Sequence, residues 1–290
     1  MGNTRAAFMM VLSMGAFALG DTFVKISSGN MSVGQVLIFM ATPGAILFAV
    51  LAQRAGQSPF SREFFMPRVV MRNCVEGMTA ICMTSALALA PLALVISIIQ
   101  AVPLFVTIGA ALILKEKVGP RRWFAVVAGF VGVLLMLRPD TSGISFGALL
   151  ALCAALGLSA RDLFTRSMPP QIGTFQMATW GTAALIPAGL LLSLFSGPHE
   201  MPSLSAWGIV LCAALANAAG YYAITAAMRI GEVSYVTPFR YTRLIFALII
   251  ATLFFRETPD ALALIGAAIV IGSGLFVMWR ERKATNRANI

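Results

Sequence analysis

Two arginines in an apolar stretch are the residues whose chemistry most needs an explanation. Arg240 and Arg243 are three residues apart, so on a helix they share a face with Thr237. An ionisable group at bilayer depth is costly unless it is paired or hydrated. Glu76 lies in another apolar stretch, and at about 1.5 Å per residue Glu76 and Arg240 are both roughly 10 Å from their predicted span ends. We expect these two to pair, which leaves Arg243 to bind a polar or charged solute. In the alternative interpretation, helix-end carbonyls and Glu76 satisfy both arginines, which then only join helices.

Further polar and aromatic side chains occur at similar depths. A tyrosine offers an apolar ring and a hydrogen-bonding tip, which suits a planar or mixed-polarity solute. Each residue alone is better explained by a hydrogen bond between helices, but as a group they favour a cavity. Besides Arg240, Arg243 and Glu76, the residues expected to bind substrate are Asn73, Gln100, Asn217, Tyr221, Tyr222, Tyr241 and Trp180.

The elements that position these residues must be membrane helices. Of the 290 residues, 59% are hydrophobic and only 11% are charged, whereas a soluble domain keeps about a quarter of its residues charged. The mean hydropathy is +0.88. This composition excludes a soluble enzyme, a disordered tail and a disulfide scaffold. The chain is predicted to be an all-α polytopic membrane protein.

Ten segments are long and apolar enough to span a bilayer. They run approximately over residues 6–26, 33–52, 69–90, 93–114, 122–137, 146–164, 174–194, 204–228, 233–255 and 261–279. Most of the 21 lysines and arginines then fall on one side, including Arg72 and Arg161, which we assign to inner helix ends. Because positive charge favours the cytoplasm, both termini are predicted to be cytoplasmic. The net charge of +10 is explained by anionic membrane lipids, without nucleic acid.

The chain resembles itself at an offset of 141 residues. This offset superposes Asp21 on Asp162, Lys25 on Arg166 and Glu116 on Glu257. Such polar residues are rare here, so we expect two repeats, residues 1–141 and 142–290. Five spans per repeat is an odd number, which predicts that the second repeat is inverted relative to the first.

Asp21 and Lys25 lie four residues apart on one helix face, as do Asp162 and Arg166. Such pairs often only anchor a helix end. Because the inverted repeat puts the two pairs at opposite membrane faces, they are also candidate gating residues, and Asp21 is a candidate site for a coupling proton.

These features resemble the drug/metabolite transporter superfamily, in its ten-helix EamA-type branch. The resemblance covers nearly the whole chain and rests on the duplicated unit, the Asp-x-Phe-x-Lys ending of the first span, and three later stretches. Those stretches are residues 101–105, residues 129–132 before Arg138-Pro139, and Pro238-Phe239-Arg240-Tyr241. The resemblance implies a carrier that works by alternating access, with a cavity lined by the first, third, fourth, sixth, eighth and ninth spans.

Catalytic, metal and cofactor sites are not expected. His199 is the only histidine, the four cysteines lie singly in apolar spans, and the chain has no phosphate-binding loop motif for ATP. A lipid-acting membrane enzyme and a non-transporting membrane sensor or scaffold are the rivals from other classes. Glycines 129, 132, 266, 272 and 274 indicate a close-packing surface, which is either internal or the contact of a homodimer.

The leading interpretation is a secondary transporter of the bacterial inner membrane that moves a small organic metabolite. Two cargoes remain open. An amino acid or related zwitterion suits an arginine near a glutamate. A planar vitamin such as riboflavin suits arginine with several aromatics, and the stretches of residues 20–25 and 238–243 look similar to a riboflavin-uptake branch of the family. We favour the vitamin slightly. The sequence leaves the direction of transport and its coupling undecided.

Overall fold

The structure, a computed structural model, describes residues 2–113, 115, 120–137, 144–169, 171–194, 202–230, 237–258 and 260–288. These residues form α-helices and two 3₁₀ helices, Arg62–Phe65 and Thr237–Tyr241, and none of them lies in a β-strand. The α-helices are α1 (Gly2–Ser27), α2 (Val33–Arg54), α3 (Pro67–Leu89), α4 (Leu92–Ile99), α5 (Val102–Leu112), α6 (Pro120–Leu137), α7 (Phe146–Arg166), α8 (Thr174–Ser193), α9 (Leu204–Ile230), α10 (Thr242–Phe254) and α11 (Ala261–Ala288).

Six helical segments in the described residues are long and apolar enough to cross a membrane. They are Thr4–Ser27, Val33–Arg54, Leu92–Gly109, Phe146–Thr165, Thr174–Ser193 and Leu204–Ile224. The other four predicted spans correspond to α3, α6, α10 and α11. Of these, α3 carries charged residues within its length, and α6 and α11 have shorter apolar cores, Val126–Met136 and Ala261–Phe276. Ten spans therefore remain an expectation.

The fourth predicted span is not one helix. It is broken at Gln100 and Ala101 into α4 and α5, and Pro103 lies in the first turn of α5. The described part of the ninth span begins with the 3₁₀ helix Thr237–Tyr241, which contains Pro238, and continues as α10. A proline lacks the backbone N–H that a helix interior needs. Pro103 and Pro238 therefore lie where helices begin, although both fall inside predicted spans.

Two equivalent helix starts are capped by different donors and acceptors. At the start of α2, the Ser32 hydroxyl accepts from the Gln35 backbone N–H and the Gln35 side chain accepts from the Ser32 N–H. At the start of α8, the Gln176 side chain accepts from the Gly173 N–H. Gly173 has no side chain to complete the box, and the Gln57 carboxamide oxygen accepts from the Gln176 N–H instead. A loop of the first half thus caps a helix of the second.

The main helix pairs join the first half of the chain to the second: α1 packs with α9, α2 with α8, α3 with α7, and α6 with α11. An offset of 141 residues relates the α2 and α8 starts, Val33 and Thr174, and the α6 and α11 starts, Pro120 and Ala261. Under that offset, the α1/α9 contact corresponds to the α7/α3 contact. The large buried cluster draws on both halves, including Ala18, Ile96 and Ala247.

Glycines bring α6 and α11 into backbone contact. A Cβ atom on Gly132 would lie 2.6 Å from the Gly266 carbonyl oxygen, and one on Gly266 would lie 2.5 Å from the Gly132 carbonyl oxygen. Gly129 and Gly274 are also covered, by Leu104 and by Tyr241. These four glycines therefore form contacts inside the protein, which is one of the two alternatives that the sequence left open. A Cβ on Gly272 would meet nothing within 4 Å among the described atoms.

Candidate functional site

The two interrupted spans meet inside the bundle. The Gln100 carboxamide, at the break between α4 and α5, donates to the Tyr241 backbone carbonyl at the end of the second 3₁₀ helix, at 3.5 Å. Gln100 and Tyr241 are 141 residues apart, so each contacts its own equivalent in the other half. Broken helices occur at bilayer depth where protein or a polar cavity satisfies the freed backbone groups.

Arg243 is bound to Asp21. From the first turn of α10, its Nε and Nη2 donate to the same carboxylate oxygen of Asp21 in α1, at 3.1 and 2.6 Å. The guanidinium also lies 5.3 Å from the centroid of the Phe17 ring. We expected Arg243 to be the less compensated of the two arginines, and that expectation is wrong. The sequence carries no signal for this pair, because Asp21 and Arg243 come from different halves and meet only through the packing of α1 near α10.

Glu76 does not pair with Arg240, as we had expected. Its carboxylate instead lies between two arginines: Oε2 is 3.2 Å from Arg72 Nη2, and Oε1 is 3.2 Å from Arg161 Nη1. Arg161 also binds Asp162, with Nη2 2.8 Å from Oδ1. The reason is which helices are neighbours: α3 packs against α7, so Glu76 lies beside the Arg161 side chain of α7.

Arg72 and Arg161 are the functional candidates that the sequence interpretation missed. Both were assigned to inner helix ends, but Arg72 is buried in α3 and Arg161 is partly buried in α7. Arg72 additionally donates to the Asn73 side-chain oxygen at 3.0 Å and to Thr165 Oγ1 at 3.3 Å. The available signal was the spacing of Arg72 and Glu76, four residues apart on one helix face.

Arg240 lies in the 3₁₀ helix Thr237–Tyr241 and is partly exposed. Asp162 attracts its guanidinium electrostatically. Arg161 and Arg243 repel it. Arg240 makes no ion pair with any residue that the structure describes. We use the name "central network" for seven ionisable side chains, which are those of Asp21, Arg72, Glu76, Arg161, Asp162, Arg240 and Arg243.

A second set of contacts closes the end of the bundle at which α1 ends. Lys25 donates to the Ala90 carbonyl at 2.6 Å and lies 3.5 Å from a Glu257 carboxylate oxygen. Glu257 also accepts from the backbone N–H groups of Leu92 and Ala93, at 3.2 and 3.4 Å, where α4 begins. Asp21 and Lys25 are thus partners of the second half rather than of each other. Of the other candidate gating pair, Asp162 binds Arg161, and the Arg166 side chain and Glu116 lie outside what the structure describes.

The remaining predicted site residues are spread over several environments. Asn217 donates to the Ala213 carbonyl of its own helix at 2.9 Å and packs against Gly20. Tyr221 makes an edge contact with Phe48 and lies in the electrostatic field of Arg72 and Arg161.

The other two aromatic candidates lie in different environments. Tyr222 is 58% exposed. Trp180 donates from Nε1 to the Pro59 carbonyl at 2.7 Å and makes an edge contact with Phe64, so it anchors the loop between α2 and α3. In the same loop, the hydrogen bond from Ser61 lowers the pKa of Glu63.

A comparison of the sequence with models of protein families shows to which family this chain belongs. The model of the EamA-like transporter family matches residues 4–138 and again residues 145–279. The chain belongs to the EamA-like transporter family. This EamA-like chain, within the drug/metabolite transporter superfamily, is a multi-pass protein of the bacterial-type inner membrane.

Individual relatives support the family and differ in cargo. The chain is 32% identical over 199 residues to a riboflavin transporter of Rhizobium johnstonii. The alignment covers 69% of this chain and 66% of that protein, which is just under two thirds of its length. It is 24% identical over 266 residues to the pseudopaline exporter CntI of Pseudomonas aeruginosa, covering 91% and 92% of the two chains. These EamA-type relatives are named as transporters, not enzymes.

A solved crystal structure shares the fold of this EamA-like chain. The TM-score is 0.65 at 19% sequence identity, and the match covers 95% of this chain and 98% of the other. At this identity the likeness concerns the fold alone.

Proposed function

We propose that this chain is a secondary transporter that moves a small organic metabolite by alternating access. Its two units are residues 1–141 and 142–290, inverted relative to each other, with ten spans and both termini in the cytoplasm. The repeated match of the family model and the equivalent starts of α2 and α8 support this arrangement.

The observation that carries the proposal is the position of the ion pairs. Three of them join the first half to the second: Asp21 with Arg243, Lys25 with Glu257, and Glu76 with Arg161. Rocking one half against the other must break or exchange such pairs. Because each pair is partly buried, separating its two charges costs free energy unless water or a bound solute replaces the lost partner.

The pairs also separate into two levels along the bundle. Lys25 and Glu257 lie where α1 ends and α4 begins, whereas Glu76 and Arg161 lie near the start of α3 and the end of α7. A carrier needs one barrier on either side of its substrate. We assign the Lys25–Glu257 pair to the outer barrier and the Glu76–Arg161 pair to the inner one, with Asp21, Arg243 and the helix breaks between them.

For the cargo, we retain a planar vitamin such as riboflavin as the first compound to test. The tyrosines near the arginines and the relative named as a riboflavin transporter support this choice. An amino acid or related zwitterion is the second candidate, because arginine and glutamate side chains lie side by side in the network. Import and export remain alternatives, since one relative is named as an exporter.

Uptake of labelled riboflavin into proteoliposomes tests the proposal. We expect saturable uptake that unlabelled riboflavin competes and amino acids do not. Asp21→Asn should reduce this uptake at least tenfold, because it leaves Arg243 without its charged partner. Glu63→Gln is the matched control, since it makes the same carboxylate-to-amide change in the loop before α3.

Competition by amino acids alone would transfer the assignment to the zwitterion. Absence of riboflavin uptake would exclude the vitamin. A wild-type protein that never alternates between inward and outward accessibility, measured by labelling of introduced cysteines from each side, would contradict transport itself.

A further inference from the structure

The central network holds more positive than negative charge. Its four guanidinium groups are those of Arg72, Arg161, Arg240 and Arg243, and its three carboxylates are those of Asp21, Glu76 and Asp162. One positive charge is therefore in excess among the residues that the structure describes. An excess charge away from bulk water is costly and marks a functional position.

The carboxylates of the network are already engaged. Asp21 accepts both of its hydrogen bonds from Arg243. Glu76 is shared by Arg72 and Arg161. Asp162 accepts two hydrogen bonds from Arg161 at one oxygen, at 3.1 and 2.8 Å. Each carboxylate is thus held by an arginine other than Arg240.

Arg240 is the guanidinium that remains. Within the described parts of the chain it makes no ion pair; the carboxylate of Asp162 attracts its charge, and the guanidinium groups of Arg161 and Arg243 repel it. Five N–H donors in a planar fork are therefore available at this point. Such a fork matches the two oxygens of a carboxylate or phosphate.

The location of Arg240 suits a bound solute. It lies in the 3₁₀ helix beside the crossing of the two broken spans, where Gln100 reaches the Tyr241 carbonyl. Tyr241 Oη has no hydrogen-bond partner among the residues described, but it packs against Gly274 of α11, and we therefore assign it no contact with the solute. Discontinuous helices commonly form the substrate site of a carrier with inverted repeats.

We infer that the transported compound carries an oxyanion, a carboxylate or a phosphate, and that Arg240 binds this group. The inference rests on the proposed transport function and narrows its substrate class: the zwitterion already carries a carboxylate, whereas the vitamin fits only as a phosphorylated or carboxylated form, because riboflavin itself has no oxyanion. A bound carboxylate supplies the one negative charge that the network lacks and makes the loaded site neutral, and a phosphate monoester, with a charge of about −1.5 to −2 at pH 7, supplies at least that much. The loaded site is then less costly to move within the membrane than the empty site when the charge is matched.

Two pairs of probes, each differing by one anionic group, test this inference. The first pair is riboflavin and riboflavin 5′-phosphate, and the second is nicotinamide and nicotinate, because an amino acid such as glutamine already carries a carboxylate. Dissociation constants are measured on the purified full chain in nanodiscs at constant ionic strength. In at least one pair, the dissociation constant of the anionic member for the wild-type protein should be at least about tenfold lower than that of the neutral member. A tenfold difference is typical of one charge-assisted contact.

Three variants assign that preference to a residue. Arg240→Gln should remove the preference for the anionic member, and Arg240→Lys should retain part of it, because the charge remains without the fork. Arg54→Gln, an exposed arginine at the end of α2, should leave it unchanged. A readout without ligand is the melting temperature: Arg240→Gln should not lower it, because it removes a charge that no ion pair with a described residue compensates.

A preference that persists in Arg240→Gln, or that is absent from both pairs in the wild type, would overturn the inference. So would a melting temperature of Arg240→Gln as low as that of Arg161→Gln, because Arg240 would then be a structural ion-pair partner. Proteoliposome uptake of a neutral probe would leave the proposed function standing in any of these cases. Absence of uptake for every probe would refute the function separately.

Discussion

Arg161 is the side chain whose loss should disturb the bundle most, because among the described residues it is the one that bridges two carboxylates. It is 3.2 Å from Glu76 in α3 and 2.8 Å from Asp162 in its own helix. Arg161→Gln removes the charge but keeps a long polar side chain. Glu76 then remains beside Arg72, while Asp162 loses its hydrogen-bond donor.

The magnitude follows from the number and exposure of these contacts. A hydrogen bond to a charged group contributes about 1.5–3 kcal/mol, and removing one partner of a fully buried pair costs about 3–5 kcal/mol. The side chains of Arg161 and Glu76 keep 26% and 17% of their surfaces exposed, so partial hydration reduces the penalty. We therefore expect Arg161→Gln to lower the free energy of unfolding by about 3 kcal/mol.

A double-mutant cycle separates the bridge from other effects of the substitution. Arg161→Gln, Glu76→Gln and the double variant are unfolded from mixed micelles with increasing sodium dodecyl sulfate. The double variant should lose less stability than the sum of the single variants, with a coupling energy of about 1–2 kcal/mol. Arg54→Gln, which removes the same charge from an exposed position, should change stability by less than about 0.5 kcal/mol.

The reasoning is refuted if Arg161→Gln is no more destabilising than Arg54→Gln. A coupling energy of zero between Arg161 and Glu76 would refute the bridge between α3 and α7 in particular, even if the single variants were unstable.

Two further predictions concern the ends and the seam of the bundle. Glu257→Ala should increase amide hydrogen exchange at the start of α4 more than Glu257→Gln does, because the amide oxygen of glutamine can still accept from the Leu92 N–H; equal exchange in the two variants would contradict the capping role. Gly266→Ala should lower the melting temperature, because the added Cβ would lie 2.5 Å from the Gly132 carbonyl oxygen. The matched Gly272→Ala should leave the melting temperature unchanged or raise it, since its Cβ meets nothing described and alanine favours a helix over glycine by about 1 kcal/mol. Equal losses in the two glycine variants would show that the α6/α11 contact is not as close as described.

Much of the helical framework could be predicted because hydropathy is a local property. The expected spans at residues 33–52, 146–164 and 174–194 differ from α2, α7 and α8 by no more than two residues at either end. The interruption at Gln100 and Ala101 was not predicted. The residues on both sides are equally apolar, so a hydropathy profile passes over the break, although Pro103 at the start of α5 lacks the backbone N–H that a continuous helix would use. Only the tertiary structure shows that the break lies against Tyr241.

The charged residues show where prediction from depth fails. Equal depths suggested a Glu76–Arg240 pair, but depth describes one coordinate along the membrane normal and says nothing about which helices are neighbours. Because α3 packs against α7, Glu76 meets Arg161. Because α1 is near α10, Asp21 meets Arg243.

By itself, the amino-acid sequence determined that this chain is built of apolar helices, that its rare polar residues recur at a fixed offset, and that several ionisable groups lie at bilayer depth. Each of these is a property of residue type and spacing. Only the tertiary structure decided which carboxylate neutralises which guanidinium, and hence that Arg240 rather than Arg243 is left over. Ion pairing acts over about 4 Å, and contacts at that range between residues of the two halves, such as Asp21 and Arg243, exist only after the helices have packed.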